Sequence, residues 1–529
     1  MINNMNRIII STALFFISIT LVAQNKSQSD DEIYFRSQTK TIASDKFAGR
    51  KPLTKYENLT INYIADEFIK LGLKPGNGDS FFQKVPLLDT QTRAKKGITI
   101  KGNKGSFNLK EREDFVVWSP QRKKNIDLNN EQFVFVGFGI NAPEYNHNDY
   151  EGLDVKGKIV VALVNDPGFY NVNLFRGHNM TYYGRWIYKF EEASRQGADG
   201  VLVIHDSKPA SYGWDVIQNS WFGHNLELVS DKSNEDKVKF KGWITKEKAN
   251  ELFKSAGTSY DELFNKALDK NFKAVALNAK ANIHLTNNYI FGNSNNIAAV
   301  LPGTDLKDEY VVYTAHWDHF GIGKPINGDS IYNGASDNAS GVAALLSVAR
   351  KFANLQDKPR RSILFLSVTA EEAVLLGSEY YTSHPLIPLS KTAVNINFDG
   401  TAPKGHGRKV FIGAKGDSET DLYVESAAAA QGKQVTWSND DTRGGYFRSD
   451  HFSFAKVGIP VVIAGTVPDE NFSVWKRNTY HQPSDEYDDS WNVDGAIEDI
   501  NLSVGIGLGI ANADKFPEWN KSATYKRIY

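Results

Sequence analysis

The chain has no cysteine among its 529 residues. That absence excludes disulfide bonds, thiolate metal sites and a cysteine nucleophile, so any metal must be held by histidine and carboxylates. It also excludes a lipid-bearing cysteine after an export signal. An excess of either charge is lacking too: 61 Lys and Arg against 62 Asp and Glu leave a net charge of -1. Nothing here points to nucleic acid, and no long charge run, heptad series, internal repeat or low-complexity segment is found.

Long apolar runs are scarce as well. One occurs, "IIISTALFFISITLVA", after Arg7 and before the polar "QNKSQSD". A short positive start, an apolar stretch and a small residue at Ala23 describe a secretory signal peptide over residues 1–23. An uncleaved anchor is the alternative, but the run is short for a span and no second one follows. The expectation is an exported protein, periplasmic or extracellular, with no stable membrane insertion once the signal is cleaved.

The length favours two domains or more. "YENLTINYIADEFIKLGLKP" places Ile61, Ile64, Ala65, Phe68 and Leu71 on one helical face, and Gly72 and Pro75 end the helix. From about 126 to 280, "EQFVFVGFG", "GKIVVALVND" and "DGVLVIHD" read as strands. The helix between the last two carries an adjacent pair, Glu191 and Glu192, expected on a solvated face. From about 285 onward strands and helices alternate, as in "YVVYTA", "GVAALLSVARKFANL", "SILFLSV" and "AVNINF". Such alternation predicts an α/β fold: a mostly parallel, twisted sheet with helices on both faces, plus an inserted, smaller, β-rich α/β domain. The expected division is residues 24–125 and 281–529 for the main domain and 126–280 for the insert.

In open α/β sheets ligands bind beyond the carboxyl ends of the strands. After successive strands come His316 and Asp318, then Glu371 and Glu372, then Asp399; a later loop brings Tyr480 and His481, and Asp337 precedes a helix. A lone histidine or aspartate at such a point is usually structural or a cap. Two histidines and three carboxylates at one sheet edge would repel and lose solvation without a cation. Histidine plus carboxylate, without thiolate, suits zinc in a hydrolytic site.

The motifs "HWDH", "GASDNASG", "TAEE", "NFDG", "RSDH" and "YHQPSD", in that order, resemble the zinc exopeptidases of clan MH. In particular they are similar to the secreted bacterial di-zinc aminopeptidases, metallopeptidase family twenty-eight. The insert resembles the protease-associated domain found in the same loop of such enzymes. The resemblance implies two zinc ions per chain and a peptide substrate: His316 and Asp399 on one ion, Glu372 and His481 on the other, Asp337 shared. It further implies Glu371 as general base, Tyr480 as oxyanion donor, Asp318 orienting His316, and a cis peptide between Asp337 and Asn338. Arg448 is a candidate for substrate contact, equally readable as a surface ion-pair residue. Large apolar N-terminal residues are the substrates expected by family analogy.

Other readings stay open. A carboxypeptidase of the same clan would carry a long helical domain after the catalytic core. A glutaminyl cyclase uses one zinc, against the two-metal ligand set here. A non-catalytic receptor of this fold typically lacks ligands or the base. The segment "GIGKPINGDSIYNG" reads as a rim loop. The sequence leaves the oligomeric state, the side-chain preference and the task of the insert undetermined.

Overall fold

The computed structural model describes residues 28–230, 232, 234–438, 441–468, 470–521 and 523–527. The signal-peptide reading of residues 1–23 lies outside them.

The element that organises the chain is a 27-residue strand, Val275–Leu301. Its last residues, from Ile297 to Leu301, pair antiparallel with Arg361–Val368. Its middle pairs with Phe82–Arg93, and its first part with Ile98–Gly102 and Asn125–Phe135. One sheet therefore runs through two lobes, with this strand as the seam.

In the C-terminal lobe, Leu306–His316 lies between Arg361–Val368 and Thr392–Phe398, parallel to both, and Val461–Val462 continues the sheet in the same sense. Every residue of Arg361–Val368 is buried, as expected of a strand covered on both faces. On one side pack the helices Ser340–Ala353 and Asp494–Asn512, with Ala344, Val348, Ile500 and Ile506 in a core shared with Val311, Tyr313 and Phe365. On the other side Tyr381, Phe452 and Phe454 meet Val312, Leu364 and Leu366. Even and odd residues of one strand thus serve opposite cores, the two-residue period at work.

The inserted lobe is an α/β layer of its own. Asn125–Phe135, Ile159–Leu163, Gly200–His205 and Phe240–Thr245 run parallel, and Phe115–Trp118 closes the edge antiparallel. Its core does not start at residue 126. Ile98, Ile100, Leu109, Phe115 and Val117 pack with Phe133, Leu202 and Phe253. Residues from about 94 to 118, which the sequence reading left in the main domain, therefore contribute to the lobe's interior. Nothing local marks this, because a short strand carries no label of the sheet it will join.

Two other expectations change. Glu192 is buried rather than solvated: it accepts from Arg195 Nε at 2.8 Å and Gln196 Nε2 at 2.8 Å. Its neighbour Glu191 accepts from the Tyr182 hydroxyl at 2.6 Å. The presumed rim loop forms a β-hairpin, Gly321–Ile326 with Asp329–Tyr332, around a turn with Asn327 and Gly328 at positive φ.

A candidate metal centre at the carboxyl ends of the parallel strands

Register brings the first ligand types together. His316 ends its strand opposite Val368, and Ala315 lies opposite Phe398. Strands about 4.8 Å apart that finish level must cluster whatever follows them. Here that is His316, Glu371 with Glu372, and Asp399. The main chain then turns sharply: Ala370, Val374 and Leu375 all have positive φ, and the next helix begins only at Leu376. The irregular turn lets adjacent glutamates face different partners.

Asp337 arrives from a kinked segment, Ala335–Ala339, just before the helix Ser340–Ala353. The Asp337–Asn338 peptide is cis. Asp485 holds the segment: its carboxylate accepts from Ser336 N at 2.9 Å and Asp337 N at 3.0 Å, and its carbonyl from Ala335 N at 2.9 Å. The Asn338 amide donates to Phe398 O at 3.0 Å and accepts from Gly400 N at 3.1 Å. It thereby locks the kinked segment to the strand end that carries Asp399. His481 follows the helix Glu470–Thr479 with φ of 57°.

Distances in the cluster are short. His316 Nε2 lies 3.3 Å from Asp337 Oδ1, 3.7 Å from Asp399 Oδ1 and 3.9 Å from Glu371 Oε2. His481 Nε2 lies 3.5 Å from Asp337 Oδ2 and 3.3 Å from Glu372 Oε2. One carboxylate, Asp337, thus faces both histidines. Donor atoms of His316, Glu371 and Asp399 fall within 4.8 Å of one another, as do those of His319, Asp337 and Glu372.

Electrostatics show what the cluster lacks. Burial pushes the carboxyls of Glu371 and Glu372 well above their ordinary range; Asp399 adds to this for Glu371, and Asp337 for Glu372. Burial would likewise raise Asp337, but the imidazoles of His316 and His481 beside it hold it well below. His316 resists the lowering effect of burial because carboxylates surround it, and its Nε2 is buried without a hydrogen-bond partner. Four converging carboxylates with an orphaned imidazole nitrogen fit dications, which remove the repulsion and use that lone pair.

Asp318 touches more than the sequence suggested. His316 Nδ1 is 3.2 Å from the Asp318 carbonyl and 3.7 Å from its Oδ1. The carboxylate itself accepts from Glu371 N at 3.0 Å and Glu372 N at 3.4 Å. It is a positioning residue for two strand ends at once. Tyr480, more than a third exposed, stacks on His481 with ring centroids 3.7 Å apart. Its hydroxyl accepts from Arg448 Nη2 at 3.2 Å.

Two further residues join the site: His319, which the sequence offers only as a neighbour of a motif residue, and Arg50. His319 is buried and its Nδ1 hydrogen-bonds Glu372 Oε1, opposite the oxygen that faces His481. Arg50 is fully buried, and its guanidinium donates to Trp317 O at 2.8 Å, Gly334 O at 2.9 Å and Ile42 O at 3.1 Å. Burial pushes its pKa down to about 10, against the pull of Asp485, Asp318, Asp337 and Glu372. The positive-φ run Ala48, Gly49 and Arg50 turns the chain to reach these carbonyls. Its only sequence signal was the compact "AGR" within "ASDKFAGRKPLT". Arg50→Met should lower unfolding free energy by about 3 kcal/mol or more, because it orphans several buried carbonyls. Urea unfolding checks this; a change under about 1 kcal/mol would make Arg50 dispensable to the scaffold.

The model of peptidase family M28 matches residues 296–505, the stretch that holds the strand ends, Asp337 and His481. The chain carries a peptidase family M28 domain. Aminopeptidase YwaD of Bacillus subtilis is 30% identical over 196 residues, covering 36% of this chain and 39% of its own. Aminopeptidase NAALADL1 of Rattus norvegicus is 38% identical over 112 residues, covering 20% of this chain and 14% of its own. The chain thus spans less than half the length of either relative. The solved aminopeptidase from Aneurinibacillus sp. strain AM-1 shares the fold: TM-score 0.50 at 21% identity, covering 90% of this chain and 92% of that one. Among the described residues no helix is long and apolar enough to cross a membrane.

Proposed function

We propose that the protein is an exported, zinc-dependent aminopeptidase that releases N-terminal residues from peptides. The observation that carries this reading is the paired ligand cluster sharing Asp337 within the family-matched region. His316 and Asp399 would hold one zinc, Glu372 and His481 the other, with Asp337 between them. When bound, the zinc pair supplies Lewis acidity that activates water and polarises the scissile carbonyl. Glu371 keeps its carboxylate free to take the water's proton and deliver it to the leaving amine. Burial raises its affinity for a proton, as a proton-accepting base requires. Tyr480 donates its hydroxyl hydrogen to the developing oxyanion, with Arg448 fixing the phenol. Asp318 orients His316 and the two glutamates, and His319 fixes Glu372. The inserted lobe, from about residue 94 to 285, is our candidate for the protease-associated domain and borders the cleft.

A chromogenic panel tests the reading. Free-amine anilides should be cut, N-blocked anilides and peptides reporting C-terminal glutamate release should not, and a strong chelator should abolish turnover. Preferential release of C-terminal glutamate would replace the aminopeptidase with the carboxypeptidase of the same clan.

A further inference from the structure

A second cavity shares no lining residue with the metal cluster. Three stretches of the chain wall it. Tyr145, Arg176 and Tyr183 come from the inserted lobe, Asp417 and Tyr446 from the C-terminal lobe, and Tyr525 from the last segment of the chain. Its volume is about 180 Å³. An apolar cavity of about 150 Å³ holds one benzene, so there is room here for one small molecule.

The walls are held by bonds that need no occupant. Met180 N donates to Asp441 O at 3.0 Å, and Asp441 N to Asn179 Oδ1 at 2.7 Å, which joins the inserted lobe to the turn before Tyr446. The Asp441 carboxylate is committed to that turn, accepting from Gly445 N at 2.8 Å and Tyr446 N at 3.1 Å. The Tyr525 ring lies within 8° of parallel to that of Tyr446, with centroids 6.2 Å apart. Trp519 Nε1 donates to Gly458 O at 2.9 Å and Arg527 Nη1 to Thr392 O at 2.9 Å, which ties down the segment that carries Tyr525. Lys415, also on the wall, pairs with Glu425.

The other polar groups of the wall converge. Among the described residues, Tyr446 Oη is buried with no hydrogen-bond partner. Burial holds the phenols of Tyr145, Tyr446 and Tyr525 above their ordinary pKa, so each keeps a hydrogen to donate. The exposed Arg176 pulls all three the other way. Burial raises the Asp417 carboxyl, and Arg176 draws it down. One guanidinium therefore acts on three hydroxyls and a carboxylate that line the same space. Guanidinium and phenol hydroxyls together receive a carboxylate. An aspartate receives an ammonium. The rings of Tyr145, Tyr183 and Phe447 offer apolar surface. A lone anion would meet Asp417, and a lone cation would meet Arg176. A small molecule that carries both charges and an apolar group is a free α-amino acid.

We propose that this cavity binds a free α-amino acid with a large apolar side chain, its carboxylate on Arg176 and the tyrosine hydroxyls and its ammonium on Asp417. The proposal goes beyond the peptidase reading, because it concerns binding and not turnover.

Calorimetry on the zinc-loaded full chain tests it with three ligands. L-leucine is compared with isocaproate, which lacks the ammonium, and with isoamylamine, which lacks the carboxylate. L-leucine should bind with a Kd below about 1 mM, and each truncated analogue about ten-fold more weakly or worse. Arg176→Gln and Asp417→Asn should each weaken leucine by a similar factor, with Arg176→Lys recovering part of the loss. Tyr446→Phe, which removes the orphaned hydroxyl, should weaken it several-fold. Arg176 is exposed and Asp417 half-buried, so these two variants should fold, and circular dichroism checks that. Leucine held only by the zinc ions would be indifferent to both substitutions. That result overturns the site, as does equal binding of either truncated analogue or no leucine binding at about 10 mM. None of the three ligands is a peptide, so the outcome stands whether or not the protein cuts peptides.

Discussion

Glu371→Gln is expected to keep its zinc and lose its turnover, with kcat falling by ~10²–10⁴ while peptide binding persists. Its neighbour should fail differently. Glu372→Gln removes a charge from the group that faces His481 at 3.3 Å and His319 on the other oxygen. One ion should weaken, and excess zinc should restore part of the activity. The contrast arises from the turn after the strand. Both backbone N–H groups are held by the Asp318 carboxylate, yet Glu371 points at His316 and Glu372 toward His319 and His481. Zinc stoichiometry and kcat for the two variants, measured together, decide the matter. Loss of metal from Glu371→Gln, or two ions and full activity in Glu372→Gln, would reverse the roles.

The second large effect is expected at Asp337. Its two oxygens face different histidines, His316 at 3.3 Å and His481 at 3.5 Å. Asp337→Asn keeps the side-chain shape and leaves the backbone bonds to Asp485 in place, so the fold should survive. A neutral amide, however, cannot offset two cations. Zinc content should drop at both positions, and activity should fall by roughly 10³-fold or more. Metal analysis after dialysis, with circular dichroism to confirm folding, tests this. Retention of two tightly held ions would remove Asp337 from the shared position.

The sequence alone determined the chemistry available and the order in which it appears. Without cysteine, a metal site had to use histidine and carboxylate, and the buried runs "YVVYTA", "SILFLSV" and "AVNINF" could only be interior strands of a covered sheet. Parallel strands deliver their following residues to one edge, so His316, Glu371, Glu372 and Asp399 were legible as neighbours before any coordinates. The tertiary structure decided the rest. Local pattern could not assign residues 94 to 118 to the inserted lobe, because pairing partners lie far along the chain. Nor could it tell that Glu192 is buried and paired, since helical periodicity gives a face but not what covers it. Arg50 acts through carbonyls distant in sequence, and its charge depends on burial that only packing creates. Chemistry is carried by residue type and strand order, which a sequence displays; solvation and counter-charge belong to the assembled surfaces, which it does not.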